Sequence, residues 1–68
     1  MNLMKGDWDH IEELIKNALN SRLRTYGSFK YIIIDANHLL VKVYEDKQLI
    51  FTIKFWIHGE KLEVSEVY

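Results

Sequence analysis

The chain has 68 residues, a formal net charge of −1 and no cysteine. This length allows a single domain, the charge is atypical of a duplex nucleic-acid binder, and the lack of cysteine excludes disulfides and thiolate metal sites. A domain of this size buries only about 60% of the surface that its unfolded chain exposes, so oligomerisation is the remaining device that could supplement its core. No apolar run approaches a membrane span and the N-terminus has no signal-like apolar region, so we expect a cytoplasmic protein.

The first predicted element is a helix over residues 8–25, preceded by a flexible arm over residues 1–6. Its apolar residues recur at helical spacing and form one stripe: Trp8, Ile11, Leu14, Ile15, Ala18, Leu19 and Leu23. Asp7 or Asp9 can cap its start. Gly27 is suited to end it, because glycine tolerates the left-handed backbone conformation.

Four strands follow the helix, as the β-branched and aromatic content indicates. They cover residues 29–35, 38–45, 48–58 and 61–67. The connections are too short for crossovers, so the strands form an antiparallel meander. Residues 1–68 are therefore predicted to form a single small α+β domain, a two-layer sandwich in which one N-terminal helix packs on a four-stranded antiparallel sheet (α-β-β-β-β).

The third strand defines the core face of this sheet. Its odd-numbered residues, from Leu49 to Ile57, are all large and apolar, and alternation along a strand places them on one side. The predicted core face consists of Ile32, Ile34, Leu39, Val41, Val43, Leu49, Phe51, Ile53, Phe55, Ile57, Leu62 and Val64.

The turns fix how the strands align. A two-residue turn at residues 59–60 suits the last hairpin, with glycine first. For the first hairpin, a turn at residues 36–37 and a four-residue loop at residues 35–38 are both compatible with the sequence, and both keep the same faces together. For the middle hairpin we expect a three-residue loop at residues 45–47, because a two-residue turn would pair a core residue with an outer one.

The opposite sheet face has no second helix to cover it. It carries the residues that we predict as a protein interface: Phe29, Tyr31, Ile33, Leu40, Tyr44, Ile50 and Trp56. Such a set reaches or exceeds the largest apolar patch of a typical monomer, about 300–600 Å². Aromatic residues with few charges are what interface cores favour. We therefore expect a homodimer through this face, or contact with another protein.

A second interpretation uses the same face to bind single-stranded nucleic acid. Its residues would be Tyr31, Tyr44 and Trp56 beneath the bases, with Lys42 and Lys54 near phosphates. Lys30 and Lys61 add charge, but Lys30 lies on the other face by parity and the total charge is negative, so the protein interface is preferred. A third interpretation is a face with scattered exposed apolar residues and no partner.

Candidates for chemistry are few. His10 shares a helix side with polar residues, and His38 and His58 point outward from neighbouring strands but lie apart along them, with no accompanying carboxylate motif. The glycines are isolated at element boundaries, so no phosphate-binding loop is present. We therefore expect a non-enzymatic binding, regulatory or inhibitory module without catalytic residues, metal, cofactor or membrane partner.

The order of one helix and an antiparallel meander is similar to the outline of double-stranded-RNA-binding-like folds and of small toxin folds. The chain lacks their glycine-serine-histidine motif, basic loop and second helix. An outline alone implies no function.

Overall fold

The computed structural model describes residues 2–68. Its elements are a short 3-10 helix at Leu3–Lys5, helix α1 at Trp8–Asn20, and strands β1 at Ser28–Ile33, β2 at His38–Glu45, β3 at Gln48–His58 and β4 at Lys61–Val67. The strands form one antiparallel sheet in the order β1-β2-β3-β4. The predicted α-β-β-β-β meander is thus confirmed. Within residues 2–68, no helix has both the length and the apolar character needed to cross a membrane.

The N-terminal segment, predicted as a flexible arm over residues 1–6, is folded from residue 3 onward, while residue 1 lies outside the described residues. Leu3 is fully buried in the core, and its N–H donates to the carbonyl of Ala36 at 2.8 Å. Asp7 then caps α1, since its Oδ1 accepts a hydrogen bond from the N–H of Asp9 at 3.1 Å. A lone leucine has no periodicity, so the sequence pattern could not show this anchor.

The helix buries a narrower stripe than its sequence pattern suggests. Ile11, Ile15 and Leu19 are buried, and their spacing places them on one side of α1. Trp8, at the start of the predicted stripe, is instead 62% exposed. Its ring lies against Tyr31 of β1, with centroids 5.9 Å apart.

Helix α1 ends at Asn20, before its predicted end. Ser21 closes it, and its hydroxyl donates to the carbonyl of Ala18 at 2.8 Å. Gly27 serves β1 rather than the helix, because its N–H donates to the carbonyl of Tyr44 at 2.9 Å and a Cβ on it would lie 3.1 Å from that oxygen. Glycine therefore permits the close approach of the chain to β2.

In the first hairpin, the N–H of Ile34 donates to the carbonyl of His38 at 3.0 Å, which leaves a three-residue loop, residues 35–37, where we predicted two or four residues. β1 pairs with β2 so that Ile33 lies opposite Leu39. Asp35 shapes this loop, because its Oδ1 accepts hydrogen bonds from the N–H of Asn37 at 2.8 Å and of the next residue at 2.9 Å. The predicted register is off by one residue, and such a slip inverts a strand.

The predicted faces of β1 are therefore wrong. Phe29, Tyr31 and Ile33 lie on the helix side, where they pack against the core. Ile32 and Ile34, which we predicted in the core, are 58% and 49% exposed.

The middle hairpin combines a two-residue turn with a β-bulge, so the predicted three-residue loop is wrong. Asp46 and Lys47 have φ angles of 52° and 66°, as a type I′ turn requires. This turn places Leu49 on the outer side, where it is exposed. Ile50 is the extra residue of the bulge, and Phe51 and the later odd residues return to the helix side.

The last hairpin agrees with its prediction at the turn, where Gly59 has a φ of 66°. A second bulge follows at Ser65, so that Lys54 pairs with Glu66. At this end of the sheet, His10 Nε2 of α1 lies 2.8 Å from Glu60 Oε2.

The core lies between α1 and the helix side of the sheet. Its buried members are Leu3, Ile11, Ile15, Leu19, Leu39, Val41, Val43, Ile53, Phe55 and Ile57. Phe51 lies on the same side but is 38% exposed, and Leu49 is excluded altogether by the bulge. The predicted core of β3 is therefore confirmed from Ile53 to Ile57.

Candidate interaction surface on the outer sheet face

The outer face is the side of the sheet opposite α1, and strand pairing arranges its side chains in rows. Successive rows contain Ile34, His38, Trp56 and Glu63; then Ile32, Leu40, Lys54 and Glu66; then Lys30, Lys42 and Thr52; then Ser28, Tyr44 and Leu49. The first two rows begin with an apolar residue at the β1 edge of the sheet, and the third row begins with two lysines, which makes it basic. The face is thus divided into regions of different chemistry.

The apolar block is formed by Ile32, Ile34, Leu40 and Trp56. The two isoleucines are mostly exposed, Trp56 is 37% exposed, and Leu40 is half-buried. Ile32 lies opposite Leu40 and His38 lies opposite Trp56, so these side chains are neighbours across three strands. They form a contiguous apolar surface that α1 cannot cover.

Trp56 is held in place by its neighbours. The ring of His38 stacks with it at 6.5 Å between centroids, and His58 meets it edge-on at 5.1 Å. Its indole Nε1 donates to Glu63 Oε2 at 3.2 Å. A fixed aromatic ring loses little conformational freedom on binding, which suits a contact residue.

The two histidines lie closer together than predicted, because the observed register places His38 directly opposite Trp56. Each also has a carboxylate near it: His38 Nδ1 lies 2.9 Å from Asp35 Oδ1, and His58 Nδ1 lies 3.9 Å from Glu63 Oε1. Predicting this cluster from the sequence would have required the correct register between β2 and β3, which places the rings of both His38 and His58 against Trp56.

Asp35 is the member of this cluster whose pKa is clearly shifted. A hydrogen bond from the N–H of Asn37, followed by one from the His38 side chain, lowers the pKa of Asp35 from its ordinary value. Within residues 2–68, no group of three or more histidine, cysteine or acidic side chains is placed to hold a metal ion. The cluster orders the loop and Trp56.

The basic row differs from its prediction. Because β1 is inverted, Lys30 lies on the outer face, and its ammonium nitrogen is 5.7 Å from the centroid of the Tyr44 ring. It lies opposite Lys42, with Lys54 one row away. The structure therefore brings together three lysines where the sequence pattern placed two.

The predicted interface residues divide into two groups. Leu40, Tyr44 and Trp56 lie on the outer face as predicted, and Ile50 lies exposed at the bulge beside it. Phe29, Tyr31 and Ile33 lie on the helix side instead, so their prediction as outer-face residues is wrong.

The residues predicted for nucleic-acid binding divide in the same way. Lys42, Tyr44, Lys54 and Trp56 lie on the outer face, whereas Tyr31 does not. Sequence reasoning placed Ile32, Ile34, Leu49 and Lys30 on the opposite face and so missed them.

The displaced aromatic residues form an aromatic strip along the helix side of β1. Ring centroids are 6.4 Å apart from Tyr26 to Phe29, 6.4 Å from Phe29 to Tyr31 and 5.9 Å from Tyr31 to Trp8. All but Trp8 are half-buried. This strip borders the open edge of the sheet.

Comparison of the chain with protein-family models, curated proteins and solved structures finds no match. Function is therefore inferred from the faces and edges of the sheet.

Proposed function

We propose that this chain is a small non-enzymatic protein-binding module that contacts a partner protein through its outer face and acts as a homodimer. The observation that supports this proposal is the exposed apolar block, in which Ile32 and Ile34 are 58% and 49% exposed beside Leu40 and Trp56. Contiguous apolar surfaces of this kind mark interaction sites in soluble domains.

The lysines beside the block define the chemistry of the partner. Lys30, Lys42 and Lys54 lie next to the apolar block, so a protein surface with apolar residues bordered by carboxylates would complement both regions. Stacking the face on its own copy would instead bring two sets of lysines into one interface, where desolvation and repulsion oppose binding. We therefore assign the outer face to a different protein and the second copy to another surface.

Site-specific photocrosslinking tests this assignment in the native cells of the protein. A benzophenone amino acid at Thr52 places the probe on the outer face, and the same residue at Lys16 places it on the exposed side of α1. We expect a discrete protease-sensitive adduct from Thr52 alone. Trp56→Ala should reduce it about tenfold, as for a central aromatic contact. Met4→Ala, which removes another exposed apolar side chain, should leave it unchanged.

The crosslinking result is decisive in both directions. Purified wild-type protein should compete for the adduct, and purified Trp56→Ala protein should not. Equal adducts from both probe positions, or adducts insensitive to Trp56→Ala, would overturn the assignment of a partner to the outer face.

Single-stranded nucleic acid is the second candidate, favoured by the position of Lys30 beside Lys42 and Lys54. Aromatic side chains next to such a basic row can stack with bases. A fluorescein-labelled oligothymidine and anisotropy at increasing salt test this candidate. Three phosphate contacts predict a log–log salt slope of about −2, lost on alanine substitution of the lysines. Binding with that slope supports the nucleic-acid candidate against the protein partner, and its absence removes it.

A further inference from the structure

We propose that the second copy in the homodimer pairs with β1, antiparallel and edge to edge, so that two four-stranded sheets become one eight-stranded sheet. This proposal deepens the homodimer part of the proposed function. It does not depend on what the outer face binds.

The two edges of the sheet differ in their protection. β4 carries a bulge at Ser65 and three outward charges, Lys61, Glu63 and Glu66, which are the devices that prevent strands from adding to an edge. β1 pairs with β2 without a bulge along its whole length, and its only charged residue is Lys30. It is therefore the edge that is open to another strand.

Both sides of β1 also carry apolar groups that α1 leaves partly uncovered. On the helix side, Trp8 is 62% exposed where it meets Tyr31. On the outer side, Ile32 and Ile34 are exposed. A strand added beside β1 brings its own side chains against both sets at once, whereas a contact on either face would cover only one.

The hydrogen-bond alternation shows which backbone groups of β1 are free for pairing. The N–H of Ile34 donates to His38 of β2 at 3.0 Å, so the even-numbered residues of β1 point their backbone groups toward β2. Those of Phe29, Tyr31 and Ile33 therefore point outward. Among the described residues, no other segment donates to or accepts from them.

A two-fold axis then selects the register. Paired residues must share a face and use outward backbone groups, which allows registers centred on Lys30, Tyr31 or Ile32. Only the register centred on Tyr31 pairs all three outward residues of β1, with Tyr31 opposite the partner's Tyr31 and Phe29 opposite the partner's Ile33. On the outer side this places Lys30 opposite the partner's Ile32. The lysines of the two copies do not face each other, and β1 is self-complementary in this register.

Paired substitutions at Ile32 test this register specifically. Ile32→Lys would place the new lysine opposite the partner's Lys30, once on each side of the central Tyr31 pair. Ile32→Glu would place a glutamate opposite the partner's Lys30 at the same two positions. We expect Ile32→Lys to raise the dimer Kd about tenfold and Ile32→Glu to keep or lower it, as cross-strand charge pairs do. Trp56→Ala, on the outer face away from the seam, should leave the Kd unchanged.

Sedimentation equilibrium of the full chain across a wide concentration range measures these constants, with circular dichroism to verify folding. Amide exchange provides an independent readout, since dimer formation should protect the N–H groups of Phe29, Tyr31 and Ile33. A chain that stays monomeric overturns the proposal, as does equal weakening by both Ile32 substitutions or dissociation by Trp56→Ala. Crosslinking at Thr52 reports on the outer face alone, so failure of the edge pairing is distinguishable from failure of the partner assignment.

Discussion

Two phenylalanines on β3 provide a matched test of where the core ends. Phe55 and Phe51 both lie on the helix side of the sheet, but Phe55 is fully buried and Phe51 is 38% exposed. Phe55 lies between Leu39 and Val64 on the neighbouring strands and belongs to the buried cluster that includes α1. Alternation alone would give the two residues equal weight.

The expected free energies differ enough to measure. Phe55→Ala removes a closed, fully packed ring and should cost about 3–5 kcal/mol. A domain of this length has a total stability of roughly 3–10 kcal/mol, so this variant is close to unfolded at room temperature. Phe51→Ala should cost about 1–2 kcal/mol, because part of the ring is already in water and solvent can fill the space it leaves.

Urea denaturation followed by circular dichroism checks this difference. Leucine substitutions keep both variants folded, and we expect Phe55→Leu to cost about 1 kcal/mol and Phe51→Leu less than about 0.5 kcal/mol. Equal costs at the two positions, or a larger cost at Phe51, would refute the reasoning that α1 and its neighbours cover only one end of β3.

Three further predictions concern the turns and β1. Lys47→Gly should raise the unfolding free energy by about 0.5–1 kcal/mol and Gly59→Ala should lower it by about 1 kcal/mol, since both residues have a φ of 66°; thermal denaturation should show opposite signs. The pKa of Asp35 is lowered in the folded state, so its ionised form contributes stability above its ordinary value of 3.8, and this contribution disappears as the pH falls through the folded value. Asp35→Asn should therefore flatten the fall in denaturation midpoint between about pH 4 and pH 2, and identical pH profiles would contradict this. Ile33→Ser should cost about 2 kcal/mol and Ile32→Ser less than about 1 kcal/mol in urea denaturation, and the reverse ranking would favour the uninverted β1.

The elements that sequence reasoning predicts well are those with local physical signals. The capping carboxylate of Asp7 marks the start of α1, and Gly59 marks a two-residue turn whose flanking residues pair as expected. The length of β3 adds a strong alternation, so its buried residues from Ile53 to Ile57 follow from parity. These signals depend on neighbouring residues alone.

The faces of β1 could not be predicted in this way, because both of its parities are apolar. Phe29 and Tyr31 are as suited to a core as Ile32 and Ile34, so the strand itself does not choose. The loop chooses, through the hydrogen bonds of Asp35 that close three residues instead of two or four. A side-chain bond of this kind changes the register without changing the hydrophobic pattern.

The middle hairpin shows why consistency of faces was an incomplete criterion. Parity disfavours a two-residue turn because such a turn pairs core residues with outer ones. The turn at Asp46 and Lys47 does pair Leu49, a predicted core residue, with Tyr44 of the outer face. The bulge at Ile50 then restores the alternation within a single residue. The alternation of apolar residues does not reveal a β-bulge. Where a turn would pair core residues with outer ones, the sequence therefore predicts either a different loop or a bulge.

These single-residue choices affect the functional surfaces more than the fold. With β1 inverted, Phe29 and Tyr31 leave the outer face for the helix side of an open edge, and Lys30 takes a place beside Tyr44. One mixed aromatic face becomes an apolar and basic face plus a separate aromatic strip. Because the strip adjoins the free backbone groups of β1 whereas Trp56 lies two strands away on β3, self-association and partner binding are expected to be centred on different surfaces. Substitutions at Tyr31 in the strip and at Trp56 on the outer face should therefore act independently, with additive effects in the double variant.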